Sequence, residues 1–148
     1  MGVPSFEGLK AASAVASRAK RANTRVDTRH EILLRHNLWR LGLRYRKNVR
    51  TLVGKPDIVF VKAKVVVFCD GDFWHGRAWP RLRMNLATKT NSDYWVAKIA
   101  SNRKRDRIVN RTLKVAGWHV VRVWESDTLA DPVRIAGAIF STVHKRLA

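Results

Sequence analysis

Acidic residues are scarce in this chain. Eleven Asp and Glu stand against 30 Lys and Arg, giving a formal net charge of +19. Such an imbalance leaves nucleic acid, an anionic membrane surface or an acidic protein as partners. Cysteine is scarcer still: Cys69 stands alone, so neither an internal disulfide nor a cysteine-based zinc site is expected. No apolar run approaches the roughly 20 residues that a membrane span requires. Glu7 comes early and no apolar core precedes the first basic stretch, which does not read as a secretory signal. A cytoplasmic, nucleoid-associated location is expected. Internal repeats and low-complexity segments are also missing.

The chain has 148 residues, 46% of them hydrophobic, which suits one ordinary domain with a real core and argues against wholesale disorder. Residues 1–27 are small, polar and basic, and read as a flexible N-terminal arm ahead of a domain spanning 28–148. Thr28 to Glu31 fits a capping box, followed by Ile32, Leu34, Leu38 and Leu41 at near-helical spacing, with Gly42 closing the helix. Asp57–Val61 and Lys64–Cys69 read as buried, β-branched strands joined by a short turn. Residues 71–92 read as a long irregular stretch. A helix is expected from Asp93 to about Ala116 with Gly117 at its end, then a strand over Trp118–Trp124 and an amphipathic helix over Pro132–Leu147. This order suits an α/β fold, a small mixed sheet flanked by helices.

Four of the few acids lie between Asp57 and Asp93, in and just after the most hydrophobic stretch. Carboxylates kept there repel a polyanion unless a cation bridges them, which points to metal-dependent chemistry on phosphates. Asp57 opens a strand, where an acid is aimed into the crevice between sheet and loops; the alternative is a turn aspartate held by local amides. Asp70 and Asp72 flank Gly71 at the end of the next strand, costly together without a hard cation such as Mg²⁺; an Asx turn is the alternative. His75, in F-W-H, could deprotonate water or stabilise charge on a phosphate, although a lone His is more often packed or exposed. Phe73, Trp74, Trp79 and Trp95 are interleaved with Arg77, Arg81, Arg83 and Lys98, as base stacking or wedging demands, and anchoring the long loop is the equal alternative. Trp118 and Trp124 read as core. Asp106, a lone acid in a basic run, either pairs within its helix or orients His75. For Glu31 the capping box is explanation enough.

Taken in order, P56-D57, V-V-V-F-C-D-G-D-F-W-H75, Y94-W-V-A-K98, N102-R-K-R-D106 and G117-W-H-V-V-R-V-W-E125 resemble the very short patch repair mismatch endonucleases. The resemblance runs from about Thr28 to Glu125. It implies a restriction-endonuclease-like fold of the PD-(D/E)xK superfamily and Mg²⁺-dependent nicking of double-stranded DNA, with Mn²⁺ able to substitute. It further implies that Asp57 is the central metal ligand, with the Cys69 backbone carbonyl and Asp70 beside it. His75 would be the catalytic histidine, Asp106 its partner and Glu31 the acid from the first helix. Phe73, Trp74 and Trp95 match aromatics that wedge beside a mismatched pair, and Lys98 and Asn102 match positions near DNA. Asp72, Arg77, Trp79 and Ser126 stand where the family holds a structural zinc, so no structural zinc is expected and the loop is expected to be held by packing, Trp79 foremost. Where the family's arm carries apolar residues, this chain has K20-R-A-N-T-R25, and Lys20 and Arg21 would bind phosphate without reading a mismatch.

The expected function is therefore a Mg²⁺-dependent DNA endonuclease, a monomer acting in repair with or without a protein partner. The alternatives are a nuclease of a restriction or phage-defence system without mismatch specificity, an inactive DNA-binding protein on a nuclease fold, and a basic ribosome- or RNA-associated module.

Overall fold

The computed structural model describes residues 27–148. Lys20, Arg21 and the rest of the expected arm, apart from Asp27, lie outside the described residues. Helix α1 spans Arg29–Arg40. Leu34 and Leu38 are fully buried, whereas Ile32 is 51% and Leu41 44% exposed, so the inward stripe is narrower than the spacing suggested. Thr28 does occupy the N-cap but makes no side-chain cap bond; its hydroxyl meets His30 Nδ1 at 3.1 Å. The expected capping box is absent, and Glu31 points into the protein instead. Gly42 (φ 87°) turns the chain out of the helix, at a backbone angle where a Cβ would be strained.

Strands β1 (Arg46–Lys47), β2 (Ile58–Phe60), β3 (Val65–Asp70) and β4 (His119–Trp124) form one sheet in that order. β1–β2 and β2–β3 are antiparallel, with Phe60 opposite Val65 at the hairpin turn. β4 runs parallel to β3, with Asp70 opposite Trp124, and a parallel partner requires a crossover. That crossover contains helices α2 (Trp79–Leu86) and α3 (Ser92–Val115). Helices α4 (Glu125–Ala130) and α5 (Pro132–Leu147) follow β4.

Every residue of β2 and β3 is buried because helices cover both sheet faces, which is why the strands read as continuous apolar runs. On one face Val65, Val67 and Cys69 meet Leu34 and Leu38 of α1 and Ile135, Ile139 and Val143 of α5. On the other, Val66 and Phe68 meet Val109 and Leu113 of α3. The two-residue alternation of β3 thus directs Asp70 to the α3 side and Cys69 to the α1 side. Each fully buried Leu or Ile in these layers contributes about 1.5–3 kcal/mol.

Three elements depart from the sequence reading. β1 is two exposed residues, too short and too charged to carry a strand pattern. α2 lies inside the stretch expected to be irregular: Pro80 sits in its first turn, where the missing N–H costs nothing. Its Trp79, Leu82 and Leu86 pack on a third cluster with Trp74, Trp95 and Ile99. α4 is a six-residue helix directly after β4. No helix among the described residues is long and apolar enough to cross a membrane.

Candidate active site

The β2–β3 hairpin places two acids at the same end of the sheet, Asp57 just before β2 and Asp70 as the last residue of β3. The Asp57 amide donates to the Val67 carbonyl at 3.0 Å, and the Cys69 amide donates to Asp57 Oδ2 at 2.7 Å. Burial drives the Asp57 carboxyl up to about 7; the Cys69 amide opposes this, neighbouring Glu31 and Asp70 reinforce it, and His75 opposes it. Glu31 reaches this acid pair from α1. It is 6% exposed, and Oε2 has no hydrogen-bond partner among the described residues; Arg35 Nη1 stands 3.7 Å away. The Cys69 carbonyl faces His30 Nε2 at 3.5 Å. Its thiol is buried and pushed well above the ordinary range by that burial and by Asp57, so the sulfur stays a neutral thiol.

The opposite wall comes from the loop after β3. Residues 71–76 fold as a tight turn, with the His75 amide on the Gly71 carbonyl at 3.1 Å. Gly76 (φ 66°) lies so close to α3 that a Cβ would stand 2.7 Å from Arg103 Cδ and 2.9 Å from Ile99 Cγ2. That close approach brings His75 Nδ1 to 2.6 Å from Asp106 Oδ2 and 3.7 Å from Asp70 Oδ1. Asp106 is thus engaged with the imidazole across the site. Holding Nδ1 leaves Nε2 as the ring nitrogen for water or phosphate. Asp70, His75 and Asp106 bring ligand atoms within 4.8 Å of one another. Asp70 is raised by burial, with His75 and Arg122 pulling it down and Asp106 pushing it up.

Arg122, on β4, escaped the sequence reading. Its Nη1 donates to both Asp70 oxygens at 3.0 and 3.1 Å and stands 3.5 Å from Asp106 Oδ1. Its Nε donates to Asn110 Oδ1 at 2.7 Å, and the guanidinium lies over the Phe68 ring at 4.1 Å. The available signal was one cation interrupting the apolar strand V-V-R-V-W, beside a strand that ends in an acid.

The residues expected at DNA are placed differently from expectation. Trp74 and Trp95 are 8% and 5% exposed and, with half-buried Phe73, stack edge to face at 5.5–5.8 Å. They form a core beneath the long loop, which is the anchoring alternative rather than an exposed wedge, and of the three Phe73 alone is only half-buried. Asn102 is buried, donating to the Trp74 carbonyl at 2.9 Å, and buried Lys98 has its ammonium lowered by burial and by Arg105. Arg77 is tied down: its guanidinium donates to Ser126 Oγ at 2.6 Å and Asp127 Oδ1 at 3.1 Å. Ser126 in turn donates to Asp72 through both amide and hydroxyl. Three of the four positions where zinc was considered, Asp72, Arg77 and Ser126, thus form a polar clasp between loop and α4. The fourth, Trp79, packs in the aromatic cluster under Arg103.

Buried acids beside an oriented imidazole, on a strongly basic chain, are the layout of a hydrolase that works on phosphodiesters with a metal. Sequence comparison says which kind. The profile of the family described as DNA mismatch endonuclease Vsr matches residues 11–81. The Type II nicking enzyme V.HpaIIP of Haemophilus parainfluenzae is 41% identical over 119 residues, covering 80% of this chain and 83% of the relative. The Type II nicking enzyme V.NaeI of Lentzea aerocolonigenes is 44% identical over 138 residues, covering 86% and 76%. The DNA mismatch endonuclease Vsr of Escherichia coli is 34% identical over 112 residues, covering 76% and 70%. This chain belongs to the Vsr family of DNA endonucleases. A nuclease family points to a divalent metal, and the donor set fits one. Glu31 Oε2 is buried without a hydrogen bond, only the Arg35 guanidinium standing 3.7 Å away, and burial and neighbouring acids raise Asp57 to about 7. An under-neutralised set of oxygen donors is what a hard divalent cation satisfies.

Proposed function

We propose that this protein nicks double-stranded DNA with Mg²⁺, and that residues 28–148 carry the activity on a restriction-endonuclease-like fold. The observation that carries the reading is Asp57, half-buried at the end of the hairpin where Glu31 and Asp70 act on its charge, together with a histidine whose ring is held by Asp106. Support for the fold comes from a mixed sheet whose central hairpin ends in paired acids. Support for nicking comes from relatives named as nicking enzymes at 41–44% identity.

Asp57, Asp70 and the Cys69 carbonyl would hold the ion, with Glu31 behind them. When bound, the ion supplies Lewis-acid stabilisation of charge on the scissile phosphate. His75 Nε2 takes a proton from the attacking water, or as imidazolium donates to phosphate, while Asp106 holds Nδ1 and stabilises the charged ring. Exposed Lys104, Arg105 and Arg107 on α3 provide phosphate contacts that carry no sequence information.

The test is nicking of supercoiled plasmid with Mg²⁺ and with EDTA. Wild type should nick only with metal. Asp57→Ala should lose nicking while still binding DNA, since removing a carboxylate from a chain of charge +19 favours phosphate binding. His75→Ala should lower the rate by on the order of 10²-fold. Undiminished nicking by Asp57→Ala would end the mechanism. A duplex panel with and without a central T:G pair decides whether mismatch is required.

A further inference from the structure

The site described so far leaves one group without a role. Arg122 is the cation in contact with Asp70 and Asp106, the two carboxylates that also face His75. It arrives from a strand 52 residues away in sequence from Asp70. Its guanidinium is fixed from three directions: Asn110 accepts from Nε, the Phe68 ring lies beneath its plane, and both Asp70 oxygens share Nη1. A guanidinium held on so many sides is not a solvated surface charge; its side chain is 19% exposed. It neutralises a pair of acids that would otherwise repel each other, binding Asp70 through hydrogen bonds and standing 3.5 Å from the Asp106 oxygen opposite the one that meets the imidazole.

We propose that Arg122 is a positioning residue of the nicking centre, a resident counter-cation that holds Asp70 and Asp106 together before the divalent ion arrives and competes with that ion for Asp70. The proposal rests on the metal-dependent reading above and adds a trade-off to it. The guanidinium weakens metal binding, because it occupies Asp70 and places a positive charge beside the ion's site. It raises turnover, because it keeps Asp106, and through it His75, in one geometry. A residue that merely supported the fold would move both quantities the same way.

The experiment measures Mn²⁺ binding calorimetrically without DNA, and separately kcat and KM for nicking at saturating Mg²⁺. In Arg122→Met, Mn²⁺ should bind several-fold more tightly than in wild type. Its kcat should fall on the order of 10–100-fold, the usual scale for groups that orient a catalytic residue, with KM for DNA little changed. Arg122→Lys restores the charge without the fork of nitrogens, so its Mn²⁺ affinity should return toward wild type while kcat stays low. Should the Met variant not fold, as judged by thermal unfolding, the Lys variant still decides by its kcat. Weakened Mn²⁺ binding together with reduced kcat would make Arg122 a structural support and overturn the proposal, as would wild-type kcat in either folded variant. If wild type itself neither binds Mn²⁺ nor nicks, the metal-dependent reading fails rather than the role of Arg122.

Discussion

Asp57 is an acid that the metal-free protein keeps at a cost. Its carboxyl is raised from an ordinary 3.8 to about 7, so between those values the folded protein holds a proton that the unfolded chain has released. Stability from this group is therefore full below the unfolded value, falls as pH rises through the window, and stays reduced above it. Asp57→Asn should leave stability nearly unchanged near pH 4. In EDTA at pH 8 it should add on the order of 2 kcal/mol, read by denaturant unfolding. An equal gain at both pH values would show that the carboxyl is not shifted. At this scale much was legible in the sequence. Asp57 and Asp70 stand out as acids at the ends of apolar runs, His75 follows in the adjoining loop, and Asp106 is a lone acid in a basic run; the structure brings ligand atoms of Asp70, His75 and Asp106 within 4.8 Å of one another. Arg122 was not legible, because in a chain with 30 Lys and Arg one more cation carries no weight until the parallel register sets it beside Asp70.

Among elements, β2, β3 and β4 were readable, and β1 and the short helices were not. β2 and β3 are buried on both faces, so β-branched residues accumulate and the pattern is strong. α2 and α4 have eight and six residues, and their stability comes from what they pack on rather than from local propensity. Missing α2 had a consequence: without it wedging and loop anchoring stood equal for Trp74 and Trp95, whereas Trp79, Leu82 and Leu86 provide the wall that buries them. The clasp between loop and α4 was hidden for a similar reason, since Arg77 and Asp127 are 50 residues apart. Arg77 is partly exposed, with its side chain at 36%, so its ion pair is screened. Arg77→Ala should cost about 1 kcal/mol. The change should be local: amide exchange should accelerate over 71–78 while the hairpin stays protected. Exchange rising evenly through β2 and β3 would show that the clasp supports the whole domain. Metal analysis of protein purified without added zinc should find none in stoichiometric amount, because the clasp offers neither cysteine nor histidine and its Asp72 carboxylate is engaged by Ser126 and Arg77.

For the molecule as a whole, the charge of +19 sets how it meets DNA. With six or more phosphates contacted, affinity of the non-cleaving Asp57→Ala variant for a duplex should fall on the order of 10³-fold between about 50 and about 200 mM salt. A dependence of only a few-fold would mean that the cations are spread over the surface rather than gathered on the DNA-facing side.

The parallel pairing of β3 with β4 carries a consequence in time. The hairpin holding Asp57 and Asp70 is local and can close within microseconds, but the cation facing Asp70 comes from Arg122 and the partner of His75 from Asp106. Both arrive only when the crossover has docked, the slow, long-range part of such a topology. A chain emerging from synthesis therefore displays its acids well before it can use them. With the roles proposed for Asp106 and Arg122, competence to cut would coincide with completion of the fold.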